Sequence, residues 1–522
     1  MQTSLTSRVQ SGILWNAISV SSTYLLGLIR SVIVARLLLA EDFGLFGMAL
    51  TVVAGLGALT NIGIDISVIN TKFSNDEELS RHLDTIWTVD LIRRLILALL
   101  MLALARPAAR FYGEARVFEL LLVLSLLPLL QGFQNIGLMI YRKGVNFRKI
   151  VWLELSTNLL TAVATIMLVL WTRNVWALVL SQLVAALIGV ALSYLFHPYR
   201  PRPRLDKHSL RLALNFGKYA FLLGVLGYVM MMADNILLGR LYSAAILGTY
   251  VIAYNLAVLP LHGVATAIVN VTFPAYAEIS SGNLTIGEDV ASGSPTVREG
   301  NAGTQPLLTR GVPPESGRLE RAFTRVFAMS STLLALTTAL LLLLGDEIVV
   351  FLYGSKWAAA GTILRILAIL VFCKGHAILV SPLVVSMRGI APDAKIKLVE
   401  AAIFLALLYP LTSRYGAVGA ASAGAIAFFV MMINRLRVAA SLLPNISKIL
   451  LRTVLSAGVG CALGIAVAAF AIRTVASVHL RLLLGGVVIA VVVTGVMWIL
   501  SAQMRAELVR LFFASDKRGE VE

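Results

Sequence analysis

The stretch 24-YLLGLIRSVIVARLLLAEDFGLFGMA-49 is an apolar run that carries Arg30 in its middle and Arg36 further on. An arginine in a helix facing lipid costs from about 3 to over 10 kcal/mol. Either this run is not in lipid, or its arginines face something that relieves the cost. The rest of the chain excludes the first alternative. Of 522 residues, 58% are hydrophobic and 14% charged, with a mean hydropathy of +0.86. Soluble domains carry about 25% charged residues. Apolar runs of the ~20 residues needed to cross a ~30 Å hydrocarbon core recur along the whole length. The first, residues 12–39, is too long for a secretory leader and is followed by no small-residue cleavage site, so it is expected to be retained. The fold class is all-α and integral to a membrane.

The same run repeats. Shifted by 204 residues it lies over 228-YVMMMADNILLGRLYSAAILGTYVIA-253, where Tyr24/Tyr228, Arg36/Arg240, Leu37/Leu241, Ala40/Ala244, Gly44/Gly248 and Ala49/Ala253 coincide. The tripeptide 111-FYG-113 recurs as 352-LYG-354. Further on, 142-RKGVNFRKIVWLE-154 matches 388-RGIAPDAKIKLVE-400 at a shift of 246, aligning Arg142/Arg388, Lys149/Lys395, Ile150/Ile396 and Glu154/Glu400. The change of shift from 204 to 246 requires about 42 extra residues in the second half. Residues 281–320, with 19 Gly, Ser, Thr or Pro in 40 and no apolar run, are the place for them and read as a flexible cytoplasmic loop.

About 14 transmembrane helices are expected, the first over 12–39 and the last over 482–502. They form two six-helix pseudo-symmetric lobes, 1–200 and 201–440, and two C-terminal helices with a charged tail within 441–522. Residues 106–116 and 345–357 are expected as loops, and 503–513 as an amphipathic helix on the membrane surface. Placing both termini in the cytoplasm puts 27 Lys and Arg on the inner side and 10 on the outer, with seven inside spans. That is the positive-inside asymmetry. The same bias explains the net charge of +17 through anionic headgroups, without nucleic acid. Repeats six spans apart share orientation, so the lobes are related by an axis along the membrane normal. Transporters built this way hold substrate between the halves.

Arg30-Ser-Val-Ile-Val-Ala-Arg36 followed by 43-FGLF-46, together with Asp234-Asn235, Gly239-Arg240, Gly248, Tyr250, Pro274 and the FYG loop, resembles the Wzx-type polysaccharide flippases. These belong to the multidrug/oligosaccharidyl-lipid/polysaccharide superfamily, as do the murein-precursor flippases. The resemblance covers residues 8–440. It departs in the run 230-MMM-232, where a basic residue is often found, and in the length of the 281–320 insertion. It implies a flippase of the bacterial inner membrane that moves an undecaprenyl-diphosphate-linked oligosaccharide to the periplasmic leaflet by alternating access. In the murein relatives a similar first-helix motif is required, which carries over to Arg30 and Arg36. The implied partners are the lipid-linked glycan and membrane lipids, with a polysaccharide polymerase and export machinery as further candidates.

A diphosphate crossing the membrane must be met by cations in a wet cavity, which Arg does bidentately. Arg30, Arg36, Arg93, Arg94, Lys218 and Lys374 are therefore the candidate substrate-binding residues. Blander readings stand beside them: Arg36 lies near a span end and can snorkel, and Asp90 sits one turn before Arg94 and can neutralise it. Asp65, Asp234, Glu154 and Glu400 also fall within spans and are candidates for gating or ion coupling. Asp234 occupies the position of Arg30 in the other half, as a gate pair would, or as two independent cavity residues would. Glu154 and Glu400 are equally readable as structural partners of Arg148/Lys149 and Lys395/Lys397.

Enzymatic readings are weaker. There is no phosphate-binding GxxxxGK[ST] loop, the six histidines are scattered, and no outer loop is long enough to hold acceptor sugars. No cofactor or metal is expected, and Cys373 and Cys461 read as core packing. An ion-coupled small-molecule antiporter of the same superfamily is the alternative. It would favour cavity acids, whereas seven basic residues lie within these spans.

Overall fold

The computed structural model describes residues 22–60, 73, 75–143, 147–259, 261, 316–388, 390–443 and 446–501. Asp65, residues 281–315 of the expected insertion, the 503–513 helix and the side chain of Lys218 lie outside the described residues. Residues 316–320, expected as the end of that loop, are helical and begin the helix Ser316–Tyr353. Each of the fourteen expected spans has helix within the described residues, and no strand occurs among them.

The first half comprises α1 (residues 22–37), α2 (Ala40–Thr60), α3 (Asp76–Tyr112), α4 (Arg116–Leu124), α5 (Leu126–Gly132), α6 (Leu138–Lys143), α7 (Phe147–Thr172) and α8 (Val175–Phe196). The second comprises α9 (Lys207–Leu241), α10 (Ala244–Leu259), α11 (Ser316–Tyr353), α12 (Ala359–Arg388) and α13 (Ile390–Leu442). The C-terminal pair is α14 (Ser447–Ile472) and α15 (Val478–Leu500). Nine of the described helices are long and apolar enough to cross a membrane. The remaining expected spans are α1, α3, α10 and the α4–α5 pair, together with one arm of α13, whose 53 residues hold two spans. Gly416, at φ 60°, reverses the chain between them. The fourth span breaks at Ser125, because Pro128 lacks the N–H that would donate to Leu124 and its ring crowds that carbonyl.

Two expected loops prove largely helical. α3 runs on past Pro107 to Tyr112, and α11 past a kink at Leu344 to Tyr353. Each stops at the glycine of the repeated tripeptide: Gly113 at φ 70° and Gly354 at φ 96°. Left-handed backbone there costs glycine nothing and ends the helix. The preceding tyrosines, Tyr112 and Tyr353, are both buried. The end of the bundle that carries these two turns is called the outer end below, following the charge asymmetry.

At the opposite end the chain between the halves, residues 197–206, is strapped to α3. The Tyr199 hydroxyl and the Arg202 amide donate to Asp84 (2.6 and 3.0 Å). The amides of Arg204 and Asp206 donate to Thr88 (2.9 Å) and Thr85 (3.1 Å). Burial, and then the Asp84 carboxylate, push the Tyr199 phenol up. Burial also lowers His197, helped by Lys149 and Arg200. Asp206 then caps α9 by accepting from the Ser209 amide.

One large apolar cluster joins both halves and includes Leu45, Met48, Met101, Leu247, Ile252, Leu364 and Ala421. The C-terminal pair packs on α11 through small residues, among them Ala335, Ala339, Ala457 and Cys461. Both cysteines are buried and unbridged.

Candidate functional site between the halves

The outer seam is built on the repeat. A Cβ on Gly44 would overlap the backbone carbonyl of Ala244, and one on Gly248 would overlap that of Ala40. These four residues are two pairs equivalent at the 204 shift, so α2 and α10 cross at glycine on the pseudo-twofold axis. Only glycine lets the two backbones come this close.

Around the crossing, each half caps the other. Arg36, at the end of α1, donates to the carbonyls of Leu352 (2.8 Å) and Phe351 (2.6 Å) at the end of α11. Lys356, just beyond α11, donates to the carbonyls of Arg36 (2.9 Å) and Leu38 (2.7 Å). Trp357 donates its indole N–H to Ala35 (2.8 Å) and meets Phe43 edge-on at 5.4 Å. The last carbonyls of a helix have no partner within it and carry its negative dipole end, so cations are stabilised there. Burial lowers the Lys356 ammonium against an opposing pull from Asp42. The structure thus places Arg36 in an outer latch. Its repeat partner Arg240 touches the equivalent turn more loosely, with its guanidinium 5.7 Å from the Phe111 ring.

Arg30 sits six residues before Arg36, about 9 Å further in along the helix. It is half-buried, and none of the hydrogen bonds or ion pairs among the described residues involves it. Its repeat equivalent Asp234 is buried and not paired with it. Asp234 accepts from the Tyr250 hydroxyl (2.6 Å) and from the Asn235 amide (2.8 Å). Tyr250 stacks on Tyr254, whose hydroxyl accepts from Lys374 (3.2 Å). The Lys374 ammonium also lies 5.2 Å from the Phe428 ring centroid. Lys374 borders a cavity of about 490 Å³ within the second half, shared with Gly227, Met230, Ser381, Glu400 and Arg435.

The other candidates are held within their own halves. Asp90 binds Arg93 through one oxygen (2.6 Å) and Arg94 through the other (2.6 Å). Arg93 also donates to Thr60 (3.3 Å) and Arg94 to Gln131 (2.8 Å). One carboxylate thus serves two guanidiniums, and the cluster keeps a net positive charge. Glu400 holds Arg435 through two bonds (2.7 and 3.0 Å), and Arg435 also donates to Asp393 (2.6 Å). Lys397 pairs with that same Asp393 (3.0 Å) and not with Glu400. Arg365 pairs with Asp346. Glu154 lines a separate cavity of about 200 Å³ in the first half.

Sequence reasoning missed Lys356 and Trp357 of the latch, the tyrosine pair beside Asp234, and Arg435 with Asp393. Lys356 and Arg435 had been counted as loop cations, and only their contacts across 35 or more residues reveal them. The tyrosines lie four apart, at the spacing that puts two side chains on one helix face, which was the one available signal.

A two-half helical bundle with a glycine crossing on its axis, a latch between the halves and, beneath it, a cation with no partner among the described residues is a multi-pass membrane transporter. Residues 33–292 match the model of the family described as "Polysaccharide biosynthesis protein". It is 25% identical over 386 residues to the succinoglycan biosynthesis transport protein ExoT of Rhizobium meliloti (strain 1021), covering 73% of this chain and 69% of that protein. It is 26% identical over 284 residues to the lipopolysaccharide biosynthesis protein WzxC of Escherichia coli (strain K12), covering 53% of this chain and 56% of that one. Among solved structures, the lipid II flippase MurJ in an inward closed conformation shares the fold. It gives a TM-score of 0.70 at 14% identity over 93% of this chain and 99% of that one. An inward-facing MATE-family multidrug transporter of the MOP superfamily does so at 0.58 and 16%, over 83% and 99%.

Proposed function

We propose that this chain is a flippase that carries an undecaprenyl-diphosphate-linked oligosaccharide from the cytoplasmic to the outer leaflet of a bacterial inner membrane, for exopolysaccharide or lipopolysaccharide assembly. The observation that carries the reading is the pairing state of the charges. Arg36 is committed to the latch, Arg93 and Arg94 to Asp90, Arg365 to Asp346 and Lys374 to Tyr254. Arg30 is committed to nothing among the described residues. A guanidinium kept in a spanning helix without a partner has a use for an anion, and a diphosphate fits its planar fork. In this reading the latch closes the periplasmic end and the substrate is loaded from the cytoplasm. The names of ExoT and WzxC, for succinoglycan biosynthesis transport and lipopolysaccharide biosynthesis, support the reading.

The test is genetic replacement with the full chain. Arg30→Ala is expected to abolish glycan export and to build up lipid-linked oligosaccharide on the cytoplasmic leaflet at normal protein levels. Arg30→Lys is expected to retain part of the export, since it keeps the charge but loses the fork. Normal export by Arg30→Ala would refute the assignment.

A further inference from the structure

Thr157 and Asn158 of α7 differ in kind from their repeat equivalents. At the 246 shift the second half has Ile403 and Phe404, and both pack into the large apolar cluster. In the first half the two polar side chains line a cavity of about 200 Å³, together with Gln134 beyond α5, Glu154, Gly189 of α8 and three aliphatic residues. A Cβ on Gly189 would meet nothing within 4 Å, so the α8 side of the cavity is open space. Packing alone gives no reason for threonine and asparagine where the twin helix has isoleucine and phenylalanine.

The hydrogen bonds show what the cavity wants. Asn158 donates its Nδ2 to the Thr23 hydroxyl of α1 (2.9 Å), and its Oδ1 accepts from no described residue. Thr157 donates its hydroxyl proton to the Leu153 carbonyl (2.8 Å) and likewise accepts from none of them. The side-chain amide of Gln134 has no hydrogen bond among the described residues. Unspent acceptors call for a ligand that brings donors, and Gln134 can serve as either. Pockets for drug-sized ligands measure about 300–1,000 Å³, so this smaller one suits a single ring. A single ring that carries several hydroxyl donors is a sugar.

Its place fits the same ligand. Thr23, which holds Asn158, lies seven residues before Arg30. That is close to two full turns, so both side chains share one face of α1, about 10 Å apart, with Thr23 nearer the inner end. A diphosphate on Arg30 and a ring in the cavity thus lie along one helix face, at a separation that the first sugars joined to the phosphate span.

We propose that this cavity is a sugar subsite, which holds one residue of the lipid-linked glycan and selects it through Gln134, Thr157 and Asn158. The proposal rests on the flippase reading above and deepens it by naming the residues that read the glycan. Selection follows from the unpaired acceptors. A sugar that places hydroxyls on them satisfies them, whereas one that lacks those hydroxyls buries them unpaired. The second half, with Ile403 and Phe404, reads no sugar, so recognition belongs to one lobe.

The test titrates purified full-length protein with polyprenyl diphosphate, either bare or bearing one glucose, galactose or N-acetylglucosamine. The readout is the affinity for each glycosylated probe relative to the bare one. In the wild type at least one sugar is expected to raise affinity roughly tenfold, the effect of one or two neutral hydrogen bonds. Gly189→Phe fills the cavity and is expected to abolish that ratio. Thr157→Val removes an acceptor at nearly constant shape and is expected to lower it severalfold. Gln134→Ala changes an exposed residue and is expected to do the same, which keeps the test valid if Gly189→Phe disturbs the bundle. A ratio unchanged in all three variants, or no sugar that raises affinity in the wild type, overturns the subsite and leaves the Arg30 assignment standing. Failure of the wild type to bind any of these lipids, the bare one included, refutes the flippase reading and the subsite with it.

Discussion

The two halves share a scaffold but differ in how they treat charge. In the second half every described intramembrane candidate has a partner: Asp234 has Tyr250, Lys374 has Tyr254 and Glu400 has Arg435, which also holds Asp393. In the first half Arg30 has no partner among the described residues, and the Asp90 cluster carries one more cation than anion. A duplicated bundle needs two matching apolar surfaces to close its outer end, and the Gly44–Gly248 crossing keeps them matched. It does not need two ligand sites. The first half holds Arg30 without a partner among the described residues, whereas the second joins Glu400 and Asp393 to Arg435.

The comparison is broken most forcefully at Arg435. Arg435→Ala leaves the buried Glu400 carboxylate without its cation and Asp393 with Lys397 alone, and is expected to destabilise the protein by about 3–5 kcal/mol. Thermal unfolding in detergent measures this. Replacing Asp393, Glu400 and Arg435 together by Leu, Leu and Met is expected to restore most of the loss. If the triple variant is stable but transport-dead, the second half's network is functional and the contrast drawn here fails.

A smaller effect is expected at Asp234. Tyr250→Phe removes the only side-chain hydroxyl that donates to this carboxylate among the described residues, at a cost of about 1–3 kcal/mol. The same unfolding measurement should show it, with export reduced no more than stability accounts for. The smallest difference separates Arg36 from Arg240. Arg240→Ala loses a stacked contact worth about 0.5–1 kcal/mol, whereas Arg36→Ala frees two carbonyls at the latch. Cysteine pairs placed across the outer seam should crosslink as in wild type in Arg240→Ala and less in Arg36→Ala. Equal crosslinking in the two would mean that the latch is symmetric.

Much of this was legible in the chain itself. Runs of about 20 apolar residues and the 204 and 246 shifts lead to a helical membrane bundle of two related halves, because hydrocarbon thickness and repeat packing act on local stretches. Loop ends were less legible: 106–116 and 345–357 looked like breaks, yet the helices run on to Gly113 and Gly354, since one proline or a local kink does not stop a helix that still has packing to gain. Pairing was least legible. That Arg36 caps α11, that Asp234 pairs with Tyr250 and not with Arg30, and that Glu400 pairs with Arg435 and not with Lys395 or Lys397 are outcomes of tertiary contact.

The central claim is that Arg30 has no partner among the described residues because a diphosphate is its partner. Binding of a lipid diphosphate bearing a short oligosaccharide to the purified full-length protein tests this directly, comparing wild type, Arg30→Lys and Arg30→Ala. Loss of a charge-assisted contact of about 1.5–3 kcal/mol should weaken binding by roughly ten- to a hundredfold in Arg30→Ala and less in Arg30→Lys. The thermal midpoint of the ligand-free protein should be unchanged or raised, since a costly polar group has left the spanning helix. Equal affinity in all three proteins, or a fall in stability that accounts for the lost binding, would contradict the account.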